Sequence, residues 1–152
     1  MKRSAGIVLY RRTADGAVEV LLGHMGGPFW ARKDAGAWTI QKGEVGPGEE
    51  PVAVARREFE EELGVAVPTG DLVDLGEVRQ AGGKVVRAWA VEGDLDADDI
   101  VSNTFELEWP PRSGRFQAFP EIDRAAWMSV ESARAAIIEA QCLLLDRLPI
   151  AD

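Results

Sequence analysis

Seven glutamates, Glu44, Glu49, Glu50, Glu58, Glu60, Glu61 and Glu62, fall in one short stretch opposed only by Arg56 and Arg57. On a helix, Glu58, Glu61 and Glu62 stand at spacings i, i+3 and i+4 and project within about 100° of one another. Like charges so placed repel by roughly 0.2 to 0.5 kcal/mol per exposed pair, and by more where water is excluded. Arg57 can reach Glu61 one turn on, but one guanidinium does not neutralise three carboxylates. A divalent cation that prefers hard oxygen ligands could bridge them. The plainer reading, a solvated charged helix face, competes with this one, and Glu60, which points away from the other three, fits it.

The element that positions these groups is a helix expected from about Glu50 to Leu63. Pro51 suits a first turn, Glu49 and Glu50 complement the positive end of the helix dipole, and Gly64 stands where a left-handed cap would end it. Val52, Ala55, Phe59 and Leu63 project within an arc of about 80°, a core-facing stripe beside the acidic one.

Around this helix, Ser4 to Tyr10 and Val18 to Gly23 read as an antiparallel pair joined by a turn at Thr13 to Gly16. The glycine-rich run His24 to Ala37 reads as a long loop of the kind that carries function. Trp38 to Ile40 forms a short strand, and Leu72 to Arg79 with Lys84 to Val91 forms a hairpin through Gly82-Gly83. Arg124 to Met128 is the last strand. Ser129 caps a helix to about Glu139, and an amphipathic segment covers Gln141 to Leu148. Hairpins mixed with helices imply an α/β chain with a mixed, largely antiparallel sheet flanked by helices.

At 152 residues, 46% hydrophobic and 28% charged, the chain reads as one globular domain over residues 1–152. No apolar run is long enough to span a bilayer and no signal peptide is evident, so a cytoplasmic location with no membrane partner is expected. A net charge of −9 argues against a nucleic-acid polymer as partner, because that binding needs Lys and Arg to displace counterions. A small anionic ligand remains compatible if a cation mediates. Cys142, the single cysteine, reads as a buried thiol. His24, the single histidine, reads as a loop or packing residue without zinc or triad spacing. No Walker A or GxGxxG pattern occurs.

Gly43, Glu49 and the run Arg57-Glu58-Phe59-Glu60-Glu61-Glu62-Leu63-Gly64-Val65, taken together, resemble the signature of the Nudix hydrolases. Every glycine, arginine and glutamate of that signature is met, and Phe59, in a slot usually aliphatic, should face the core. The resemblance implies an α/β/α sandwich and a Mg²⁺-dependent hydrolase of phosphoanhydride bonds in nucleotide-like substrates, with Mn²⁺ able to substitute. It implies that Glu58, Glu61 and Glu62 hold the metal, with the Gly43 carbonyl as a further ligand. Glu49 and Arg57 then support them, the guanidinium fixing carboxylate rotamers. Glu61, or Glu121 outside the signature, is implied as general base. A homodimer is compatible with the family.

Trp38-Thr39-Ile40-Gln41-Lys42-Gly43 looks like the Trp-x-x-Pro-Lys-Gly lead-in of dinucleoside polyphosphate hydrolases, with Gln41 in place of proline. Lys42 is then a phosphate contact. Phe29, Trp30, Phe105 and Trp109 are candidate platforms for a base, and Arg112 and Arg115 candidate phosphate contacts. Two rival readings stand beside the enzyme: a non-catalytic module of the same fold that binds a nucleotide or a protein, and an assembly subunit whose carboxylates are structural. Substrate identity is open among dinucleoside polyphosphates, nucleoside triphosphates, nucleotide sugars and diphosphoinositols.

Overall fold

The computed structural model describes residues 2–150. Strand β1 (Arg3–Arg12) has six consecutive buried positions, Ala5 to Tyr10, as a strand packed on both faces requires. A turn closed by Thr13 N–H to Ala17 O at 2.8 Å leads into the antiparallel strand β2 (Val18–Met25). The strand expected at Trp38 to Ile40 is two strands: β3 (Trp38–Thr39) pairs with β2, and β4 (Gln41–Glu44) pairs with the opening half of β1. Ile40 breaks the ladder because its amide donates to the Gln141 side chain at 3.0 Å. β5 (Val73–Arg79) and β6 (Val85–Glu92) form the expected hairpin, with Gly82 and Gly83 at φ 81° and 79°.

β6 lies parallel to β1, whereas the other paired strands run antiparallel. With β9 (Ile122–Ser129) on β2, these seven strands make one mixed, mostly antiparallel sheet. On one face, helix α1 (Pro51–Leu63) packs Val54, Ala55, Phe59 and Leu63 against Ala5, Ile7, Leu9 and Leu21. On the other, α2 (Val130–Ala136) and α3 (Cys142–Asp146) bring Ala133, Leu144 and Leu145 against Val8, Val20 and Leu22. The result is the α/β/α sandwich that the sequence led us to expect. Among the described residues no helix is long and apolar enough to cross a membrane.

Several local expectations need correction. Val54 is fully buried and Val52 only half-buried, because α1 is turned so that Glu62 also faces inward. α2 stops at Ala136, since Ile137 turns extended and bridges to Trp38. His24 lies inside β2, not in the loop. Cys142 is half-buried, with Sγ 3.5 Å from the Arg134 carbonyl oxygen. The segment after Asn103, in which no strands were expected, forms a separate two-stranded hairpin of β7 (Thr104–Glu108) and β8 (Phe116–Pro120).

Candidate functional site

α1 and β4 meet at Gly43. A Cβ at this position would come within 2.5 Å of Glu58 Oε1, closer than real Cβ contacts come, so the glycine is a seat for the Glu58 carboxylate. The loop between them is tied by Glu49, which accepts from Gly46 N–H at 2.7 Å and from Arg57 at 2.6 Å. Arg57 also reaches Glu58 at 3.5 Å, so it braces Glu49 and Glu58 and not Glu61 as its spacing suggested. α1 begins at Pro51 after an extended Glu50 and ends on Gly64 at φ 76°, whose N–H donates to the Glu60 carbonyl.

Two chain segments complete the site. Asn103 N–H donates to the Glu61 carbonyl at 2.8 Å, and its own carbonyl accepts from Glu121 N–H at 3.0 Å. Glu121 is thereby held beside the last turn of α1. Its carbonyl in turn accepts from Gly26 N–H at 2.8 Å, and Gly26 admits this approach because a Cβ there would overlap the Pro120 carbonyl oxygen. Neither Asn103 nor Gly26 was singled out as a site residue from the sequence. Both act through main-chain groups that any residue possesses, and only the glycine leaves a trace in composition.

The electrostatics record four neighbouring carboxylates. Glu62 is 6% exposed. Burial, with Glu121 and Glu58 adding to it, pushes its carboxyl up to about 8, opposed by Lys42. Burial and then Glu61 raise Glu58, with Arg57 opposing; burial and then Glu61 raise Glu121, with Lys42 opposing. Lys42 is depressed chiefly by burial, partly restored by Glu62 and Glu121, and its amide donates to Glu62 Oε1 at 3.2 Å. Glu61 is exposed.

Among the described residues no three acidic, histidine or cysteine side chains are already converged into a set that could hold an ion. Unneutralised like charges resist such convergence. In chemistry the group still fits a hard divalent cation, being all oxygen, rich in uncompensated negative charge and seated against a glycine.

A cavity of about 310 Å³ opens beside these groups, lined by Lys42, Glu62 and Glu121 and by Trp30, Phe105 and Ile122. Of the candidates, Trp30, Phe105, Lys42, Glu62 and Glu121 therefore share this space. Gly43, Arg57, Glu58 and Glu61 stand on the adjoining β4–α1 unit. Arg112 does not line the cavity: it sits at φ 62° at the tip of the β7–β8 hairpin, its amide 3.1 Å from Glu108 Oε1. Phe29 and Trp109 meet edge to face with ring centroids 5.4 Å apart, joining the glycine-rich loop to that hairpin. Gln41 is fully buried and its amide atoms find no partner among the described residues.

The NUDIX domain model matches residues 1–145. No curated protein matches the sequence. Among solved structures, the binary complex of a Caenorhabditis elegans Ap4A hydrolase is similar at a TM-score of 0.64 and 25% identity, covering 97% of this chain and 94% of that one. The NUDIX domain of Shewanella oneidensis NrtR, complexed with ADP ribose, matches at 0.61 and 16% identity over 95% and 84% of the two chains. A mutT/nudix family protein from Listeria innocua matches at 0.60 and 15% identity over 96% and 90%. The last two likenesses are of fold alone.

Proposed function

The chain belongs to the NUDIX domain family and is a hydrolase of the Nudix type, and on that premise we propose that it cuts a phosphoanhydride bond in a dinucleoside polyphosphate or nucleoside triphosphate with Mg²⁺ as cofactor. The observation that carries this reading is the set of four neighbouring carboxylates, Glu58, Glu61, Glu62 and Glu121, opposed only by Arg57 and Lys42, at the edge of a cavity. Glu58, Glu61, Glu62 and the Gly43 carbonyl would hold the cation. When bound, a divalent ion supplies neutralisation of phosphate charge and activation of the attacking water.

The chain's own residues do the rest. Lys42 meets a phosphate oxygen with its ammonium group, whose charge Glu62 and Glu121 support against burial. Glu61 or Glu121 accepts the proton of the attacking water, the two being held together through Asn103. Trp30 and Phe105 offer the base an aromatic wall, where stacking contributes about 1–3 kcal/mol per base. Glu49 and Arg57 keep the Glu58 rotamer in place. The likeness to an Ap4A hydrolase supports trying diadenosine tetraphosphate first.

The test is chromatography of the two phosphorylated products formed from diadenosine tetraphosphate, ADP-ribose and nucleoside triphosphates, with Mg²⁺, with Mn²⁺ and with a chelator. Turnover that needs the ion and is lost in Glu62→Gln is the expected result. Metal-independent turnover, or full activity in Glu62→Gln, would refute the assignment of these residues, and no turnover of any of them would favour a binding module.

A further inference from the structure

His24 lies outside the carboxylate site, is completely buried and makes two directed contacts. Its Nδ1 stands 2.9 Å from Asp123 Oδ1 and its Nε2 2.7 Å from the Lys33 carbonyl oxygen, while the ring meets Trp38 edge-on at 5.2 Å. Each ring nitrogen thus faces an oxygen on a different chain segment. The three segments joined here each contribute to the wall of the cavity. Met25 and Gly26 follow His24 directly, Glu121 and Ile122 immediately precede Asp123, and Trp30 stands one turn before Lys33, whose N–H donates to the Trp30 carbonyl at 2.9 Å.

We propose that His24 is a positioning residue that clamps the 26–37 loop, and with it Trp30, against the cavity. The inference rests on reading that cavity as the substrate site. The clamp acts on one wall more than on the other. Glu121 keeps its place without it, through the main-chain bonds to Asn103 and Gly26 and through Ile122 N–H, which donates to Ser102 Oγ at 3.1 Å. The loop is tied at its ends, where Gly26 bonds to Glu121, Asp34 accepts from Trp38 Nε1 at 2.8 Å, and Met25 and Gly36 N–H donate to the Ala37 and Ala136 carbonyls; between them Phe29 meets Trp109, and the Lys33 carbonyl is held by His24. Loss of the imidazole therefore weakens substrate binding and leaves the chemical step intact.

His24→Phe tests this, since phenylalanine keeps the ring against Trp38 and removes both hydrogen bonds. Two readouts separate the clamp from the functional reading. Arg32 and Lys33 are exposed, so trypsin cutting after them reports loop release whatever the substrate. The folded variant should be cut about tenfold faster there, and on the substrate found in the hydrolysis screen its KM should rise about tenfold with kcat within about twofold. Asp123→Ala, at a partly exposed side chain, serves if His24→Phe does not fold, and should shift both readouts in the same direction by less. Unchanged cutting in a folded variant would overturn the clamp, as would a fall in kcat with KM unchanged. If the wild-type chain turns over nothing, the functional reading fails while the trypsin result still decides on the clamp.

Discussion

Gly43→Ala should leave the fold nearly intact and cut turnover by about a hundredfold. The backbone at Gly43 lies outside the left-handed region, so alanine fits it conformationally, and the whole effect is a collision. The new Cβ would overlap Glu58 Cγ and Cδ as well as Oε1, where ordinary contact begins at 3.4 Å, so the carboxyl end of the side chain must retreat by about 1.3 Å. Glu58 is a flexible side chain with room toward solvent, and an off-rotamer adjustment costs about 0.5–1.5 kcal/mol. That retreat carries a carboxylate proposed as metal ligand off its seat, and a displacement near 1 Å at a reacting centre costs about a hundredfold in rate. Thermal melting, kcat at saturating Mg²⁺ and Mn²⁺ titration by calorimetry together check the outcome. A Gly43→Ala protein with wild-type kcat and metal affinity would show that the close packing of Gly43 on Glu58 is incidental.

Stability of the metal-stripped protein should fall as pH rises from about 4.5 to about 8, because the unfolded chain releases the Glu62 proton near its ordinary value while the folded chain keeps it until about 8. Glu62→Gln should remove the largest part of this slope, leaving the smaller shares of Glu58 and Glu121, and make the chelated protein more stable at pH 8 by a few kcal/mol, measured by denaturant unfolding across that range; an unchanged slope would mean that Glu62 does not titrate as a buried acid. Arg57→Ala should lower kcat about 10- to 100-fold with little change in melting temperature, since its partners Glu49 and Glu58 meet it at the surface. Equal loss of stability and rate would place Arg57 in the fold instead. Phe59→Ala should cost about 3–5 kcal/mol, read from unfolding midpoints, because the ring is wholly buried under the sheet.

Much of helix α1 was legible in the sequence, for local reasons. Pro51 and Gly64 fix the ends of α1 through backbone preferences, and Phe59 faces the core because period 3.6 puts it there. Groups whose roles depend on distant partners were not legible. Arg57 finds Glu49 eight residues back across a loop, where helix spacing alone pointed to Glu61. His24 meets Asp123 across 99 positions of chain, and nothing in local composition announces that. The β7–β8 hairpin was hidden by Pro110, Pro111 and Gly114 at its tip and by Glu106 and Glu108 on β7, which read as an irregular polar segment. Its strands exist because Thr104 through Glu108 pair in register with Pro120 through Phe116.

That hairpin also has an engineering consequence. Its stem is anchored where Thr104 faces Pro120 and where Glu121 bonds to Asn103, whereas its far end, from Trp109 to Arg115, contributes no residue to the lining of the cavity. Lengthening or exchanging the tip changes what Phe29 meets without dragging on Glu121, so that end is an insertion point for grafted loops. One residue added or deleted between Asn103 and Thr104, by contrast, would shift the strand by a step and swing Phe105 to the opposite face.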